Sequence, residues 1–251
     1  MKLSLCANSV TKDLSRTDAM KLAKKLSYSA VEFWEGKDFD LDAYKSTLEE
    51  TKLTLACMGF ATGLVDPVTR DDFVESVKNS LENCKKLGAK CMIATTGQAL
   101  EGVPREKQHD SIVEGLKEGA KILAGTDVVM VLEPLNILVN HAGYYLYSSA
   151  EAFDIVKKVN SPNVKVLYDI YHQQITEGQL IANITNNIEW IGHFHAAGNP
   201  GRGEPYFGEI NYKEVFAAID KTGFKGYVGL EYWPAVDSAE ESLKKCLEMY
   251  E

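Results

Sequence analysis

Four apolar runs in the second half of this chain each stop on a residue that belongs in water or on a partner. VVMVLEPLN stops at Glu133, VKVLYDIYHQQ at Asp169, IEWIGHFHAAGNPGRGEP at His195 and GYVGLEYWP at Glu231. Runs of this kind read as buried strands. One polar ending is chance, but four in succession place four polar side chains at one end of one sheet. Two Glu, one Asp and one His make a hard, oxygen-rich ligand set with one imidazole. It suits Mn²⁺ or Mg²⁺ and also accommodates Co²⁺ or Zn²⁺.

The same strand reading applies along the whole chain. Strands are expected at residues 3–7, 30–34, 53–58, 90–95, 128–132, 164–168, 190–195 and 227–231. Helical periodicity falls between them at 16–26, 41–50, 70–87, 109–123, 149–159, 177–187 and 212–222, with a last helix from 238 onwards. Ser15 and Asn211 are N-cap types, and Gly88 marks a helix end. GFATGLVDP and AAGNPGRGEPYFGEI read as loops, and TTGQALEGVPREKQ as a long polar loop suited to a lid or a substrate loop. Eight strand–helix units in 251 residues, with no linker between them, predict one α/β domain over 1–251, a single (β/α)₈ barrel. An open doubly wound sheet would carry a glycine-rich fingerprint after its first strand, and CANSVTKD is not one. No organic cofactor is expected.

Charge and cysteines narrow the class. A formal net charge of -9 and a pI near 5.2 argue against a nucleic-acid surface. A small anionic substrate remains compatible, because one Arg and a metal reverse the sign inside a pocket. Five scattered Cys without a CxxC pair read as reduced, mostly buried thiols. MKLSLCANSV lacks a signal-peptide apolar stretch, and no run reaches membrane-spanning length. The expectation is a cytoplasmic protein with no membrane partner.

A barrel carries its site at the C-terminal ends of its strands, where Glu133, Asp169, His195 and Glu231 fall on adjacent staves. Three carboxylates without a metal would repel and raise one another's pKa. A metal on adjacent carbonyl and hydroxyl oxygens stabilises the enediolate left when a C–H proton departs. Glu133 and Glu231 flank the set as the acid/base pair. Moving the proton between neighbouring carbons isomerises; returning it to the same carbon epimerises. The residues alone leave both open.

Other residues are expected around this set. In VEFW, Glu32 and Trp34 share a strand face, so Glu32 can look into the pocket mouth or sit in a rim salt bridge. His172 can bond a substrate hydroxyl or a ligand carboxylate, and His193 can support His195 from one layer deeper. Arg202, between glycines, can grip a carboxylate. Trp34, Tyr171, Phe207 and Trp233 are candidate pocket walls, whereas His109 and His141 carry no clear role.

LEPLN, GYYL, DIYHQQITEG, HFHAAGNPGRGEP with GEINY, and GYVGLEYWP together resemble the hydroxypyruvate isomerase family, within the xylose-isomerase-like barrel superfamily. The resemblance covers essentially the whole chain. It implies a (β/α)₈ barrel holding a divalent ion on Glu133, Asp169, His195 and Glu231, with the two glutamates also catalytic. It further implies substrate contacts from His172 and Arg202, and interconversion of hydroxypyruvate and tartronate semialdehyde. Tyr206 and Phe207 stand where the family commonly has an Asp after GRxEP, and NILVNHAGYYL departs from its usual polar stretch. Both departures are in substrate-side loops. A small hydroxy-oxo acid is therefore the expected substrate class. A ketose 3-epimerase acting on a free sugar is the nearest alternative, and a non-catalytic sugar-acid binding protein a further one. The resemblance suggests a homodimer or homotetramer.

Overall fold

The computed structural model describes residues 1–34 and 40–250. Its strands are β1 (Lys2–Cys6), β2 (Ala30–Phe33), β3 (Thr54–Met58), β4 (Phe60–Ala61), β5 (Cys91–Ala94), β6 (Val129–Leu132), β7 (Val164–Asp169), β8 (Ile191–Ala196) and β9 (Tyr227–Leu230). All pair in parallel, in the order β3-β2-β1-β9-β8-β7-β6-β5-β4. Only Gly59 separates β3 from β4. The two are halves of one stave, one bonding back to β2 and the other forward to β5, so the sheet is a closed barrel. Gly59 has φ +87, and a Cβ there would lie 2.8 Å from that of Ser80, so the break demands glycine. The expected third strand thus extends past its predicted end, and GFATGLVDP is only partly loop.

The helices are α1 (Arg16–Lys25), α2 (Leu41–Thr51), α3 (Arg70–Leu87), α4 (Arg105–Leu123), α5 (Ser149–Val159), α6 (Ile170–Thr176), α7 (Leu180–Asn187), α8 (Tyr212–Lys221) and α9 (Ala239–Tyr250). Their apolar sides pack on the outward residues of the strands, such as Met92, Met130 and Leu132. Alternate residues, Cys57, Cys91, Ile93, Val131 and Leu167, form a separate cluster inside the ring. The caps are local: Ser15 accepts from the Asp18 backbone N–H, Asn211 from that of Glu214, and Gly88 ends α3 with φ 76. All five cysteines are buried and unbridged.

Two helix expectations need correction. The helix after β5 begins at Arg105, not at 109, because Pro104 starts it and the buried Gln108 ties the preceding loop down. Gln108 donates to the carbonyls of Leu100 and Val103 and accepts from the Leu100 N–H, so the polar stretch is shorter and more fixed than a lid. The helix expected over 177–187 is α7, which starts only at Leu180, and a further helix that the sequence did not suggest, α6, precedes it. Gly178 and Gln179, at φ 63 and 51, break the path, and α6 starts directly at the end of β7. The cause is Asp169, whose Oδ1 accepts the His172 N–H at 3.0 Å and caps α6. Among the described residues no helix is long and apolar enough to cross a membrane.

Candidate metal centre and active site

The four stops converge. One ligand atom from each of Glu133, Asp169, His195 and Glu231 lies within 4.8 Å of all the others, and all four residues are buried. Register explains the meeting. A one-residue slip between Val166 and Leu167 sets Asp169 beside His195 across β7 and β8. His195 in turn pairs with Gly229, two residues before Glu231. The backbone N–H of Glu133 donates to Ala94 and that of Glu231 to Ala196, which carries the ladder into the residues just past β6 and β9.

His195 shows that the set fits a cation. Its Nε2 lies 2.8 Å from Glu32 Oε1. Its Nδ1 is buried, has no hydrogen-bond partner among the described residues, and stands 3.4 Å from Glu231 Oε2 and 3.7 Å from Glu133 Oε1. An imidazole nitrogen facing carboxylates in a dry site calls for positive charge there. Burial opposes it, but Glu231, Glu133 and Glu32 raise the His195 pKa well above its usual value, so the same place favours a proton or a bound cation. The donor set, three carboxylates and one imidazole, suits a hard divalent ion.

The carboxylates are not equivalent. Burial pushes Glu133 up to about 7 against the pull of His195, with Glu231 and Asp169 adding to the rise. Burial also raises Asp169 despite the opposing pull of Arg202. Glu231 is equally buried, yet His195 and Arg202 hold it down at about 2. Arg202 Nη2 donates to Glu231 Oε2 at 2.6 Å.

Arg202 is placed by a strained loop. It has φ 57, its carbonyl accepts the Trp233 N–H at 2.9 Å, and its guanidinium lies 4.6 Å from the Trp233 ring centre and 5.6 Å from that of Tyr171. A Cβ on Gly198 would strike the Glu204 carbonyl at 2.4 Å, which makes glycine obligatory where the loop folds back. Buried Glu204 pins the other side, accepting the N–H groups of Ala235 and Val236. His172 is fully buried, and burial followed by Arg202 pushes its pKa well down, so it is neutral. Its Nδ1 accepts the Asn136 N–H at 3.1 Å, which leaves the proton on Nε2. That Nε2 has no hydrogen-bond partner among the described residues and lies 3.7 Å from Asp169 Oδ2.

A pocket of about 530 Å³ opens above the four candidate ligands. Glu133, Glu231, Arg202 and His141 line one part, and Trp34, Phe60, Ile93, Thr95 and Gln98 the other. Trp34 is therefore a wall residue. Glu32 is not: it lies below the pocket, 2% exposed, with both oxygens bonded, so the reading of it as a substrate contact is corrected. His193 stands one layer down, with its Nε2 3.0 Å from Glu32 Oε2. Phe207 is 57% exposed and meets Tyr206 edge-to-face rather than lining the pocket. Tyr171 and Trp233 flank Arg202 instead.

Among the pocket residues missed from sequence are Gln98, His141 and Tyr144. They are brought together by backbone pairing of Gln98 with Tyr144 and of Ala99 with Gly143. The rule of polar residues after an apolar run would have found TTGQ behind CMIA. Nothing local marks His141, whose ring reaches the site by packing 5.3 Å from that of His172.

Comparison with known proteins agrees with this geometry. Residues 20–249 match the family model described as "Xylose isomerase-like TIM barrel". The chain is 32% identical to hydroxypyruvate isomerase of Escherichia coli (strain K12), over 84% of this chain and 85% of that protein. It is 29% identical to a 2-oxo-tetronate isomerase of Cupriavidus necator, over 86% of each. A crystal structure described as AP endonuclease, family 2, from Brucella melitensis superposes with a TM-score of 0.90 at 28% identity, over 97% of each chain.

Proposed function

This chain belongs to the xylose-isomerase-like TIM barrel family and is closely related to the hydroxypyruvate and 2-oxo-tetronate isomerases, and on that premise we propose that it interconverts hydroxypyruvate and tartronate semialdehyde. At the coarser level it is an enzyme, a metal-dependent isomerase or epimerase of hydroxy-oxo-acid or sugar substrates. The observation that carries the finer reading is Arg202, a half-buried cation bonded to Glu231 at the edge of the ligand ring. An anionic substrate gains from that cation, whereas a neutral sugar does not.

The ion assigned to Glu133, Asp169, His195 and Glu231 is Mg²⁺ or Mn²⁺; when bound it supplies positive charge to the two substrate oxygens on which negative charge collects. Glu133 and Glu231 stand just past the ends of β6 and β9, at the two ends of the ligand arc. One takes the proton from the hydroxymethyl carbon of hydroxypyruvate, and a proton is delivered to the neighbouring carbon, with the hydroxyl proton passing to the former ketone oxygen. The two glutamates exchange roles in the reverse direction. The neutral Nε2–H of His172 is a buried donor for a substrate oxygen. Trp34 and the β5-side residues exclude water from the other side.

The test is an activity screen in heavy water with metal-stripped protein and added Mn²⁺ or Mg²⁺, over hydroxypyruvate, four-carbon oxo-acids, fructose, tagatose and psicose. Tartronate semialdehyde formed from hydroxypyruvate only when metal is added is the expected result. Deuterium entering C3 of a free ketose, with hydroxypyruvate unchanged, would overturn the substrate in favour of epimerisation.

A further inference from the structure

We propose that Glu32 is a positioning residue that aims His195 at the metal, and that Gly229 is glycine so that the Glu32 carboxylate can occupy its place. The proposal rests on the metal reading of the ring above it. One layer below the ligands, four side chains from three strands meet. Glu32 Oε1 lies 2.8 Å from His195 Nε2, and Glu32 Oε2 lies 3.0 Å from His193 Nε2 and 2.5 Å from Ser4 Oγ. None of these four residues is more than 2% exposed. Each Glu32 oxygen therefore accepts in a dry site, and each histidine donates from Nε2.

Donation from Nε2 decides the other nitrogen. A neutral His195 with its proton on Nε2 has its lone pair on Nδ1, the atom that faces Glu133 and Glu231. The opposite tautomer would put a proton where the ion must bind and leave Glu32 unsatisfied. The carboxylate also makes the imidazole a stronger ligand.

Gly229 supplies the room. It pairs with Ser4 on one side and His195 on the other, the two residues that reach Glu32 from flanking strands. A Cβ on Gly229 would lie 2.1 Å from Glu32 Oε1 and 2.6 Å from its Cδ. The register slip of β2 at Val31/Glu32 accompanies this inward placement.

The experiment is calorimetric titration of metal-stripped protein with Mn²⁺. Glu32→Gln keeps the shape but can accept on one atom only, so one histidine must change tautomer. Its Mn²⁺ affinity is expected to fall about 10–100-fold. Gly229→Ala leaves every side chain present yet displaces the carboxylate, and should weaken Mn²⁺ to a similar degree. In a Glu32→Ala background the added Gly229→Ala should cost little more. ¹⁵N NMR of labelled histidines reads the His195 tautomer independently of turnover. Folded variants that bind Mn²⁺ like the wild type, with only a lower Tm without metal, would make Glu32 a packing residue and overturn the proposal. Failure of the wild type to take up Mn²⁺ would overturn the metal reading, and this proposal with it.

Discussion

The two halves of the barrel end differently at the same face. β6, β7, β8 and β9 end within one residue of Glu133, Asp169, His195 and Glu231, whereas β1, β2, β3, β4 and β5 lead into Ala7, Trp34, Gly59, Thr62 and Thr95. One half presents charge to the pocket, the other aromatic and small polar surface. The charged half is braced by pairing on both sides of every ligand strand. The wall half contains the only stave that changes partner partway, at Gly59, among the described residues. On the proposed function, the difference teaches that reaction type and substrate shape fall to separate arcs of one ring.

The largest expected effect contrasts the arcs directly. Glu133→Gln or Glu231→Gln should lower kcat on hydroxypyruvate by about 10²–10⁴-fold, the usual contribution of a positioned acid or base. Trp34→Ala should mainly raise KM, because it removes uniform binding. Steady-state kinetics of the three variants decide it, and a Trp34 variant that loses kcat as heavily as the glutamate variants would break the division.

A middle-sized effect sharpens the role of charge. Arg202→Ala should cost hydroxypyruvate about 2 kcal/mol in kcat/KM, the lower end of what truncating one member of a buried charge pair costs, because this pair is only partly buried. A neutral ketose should lose much less. Part of any loss is common to both substrates, because Arg202 also holds Glu231. Parallel kinetics on the two substrates isolate the remainder, and equal losses would remove Arg202 as the carboxylate clamp.

The smallest effect is on stability without metal. Glu133 is raised to about 7, so between the ordinary carboxylate range and that value the folded chain binds a proton that the unfolded chain has released. Stability should fall as pH rises through that window. Glu231, lowered to about 2, has the opposite sign: its contribution is present above the ordinary range and lost as pH falls towards 2. Urea unfolding of metal-stripped wild type and Glu133→Gln from about pH 5 to about pH 8 tests the first sign. Identical slopes for the two proteins would show that Glu133 does not titrate there.

Much of the charged arc could be read in the chain, because each ligand ends its own apolar run and the barrel rule brings strand ends together. Glu32 shows where that reading stops. Its strand and face were visible in VEFW, but its depth depended on partners on β1 and β8, far away in sequence. α6 was hidden because its N-cap, Asp169, is also a proposed ligand, and the apolar periodicity of IYHQQIT is too short to show. The wall arc was least legible. Gln98 and His141 reach the pocket through contacts between two loops, and such contacts have no period.

The divided third stave has a consequence for how such a protein can change. In an eight-membered ring the seam at Gly59 lies across from β8, the strand of His195. Insertions or exchanges between β4 and α3 therefore enter the ring at the point most remote from the central ligand strand. New shapes can be tried at Phe60 and in its loop while the ion's holders keep their register. The barrel behaves as a chuck with one adjustable jaw: the tool holder stays true while the grip is refitted for another workpiece.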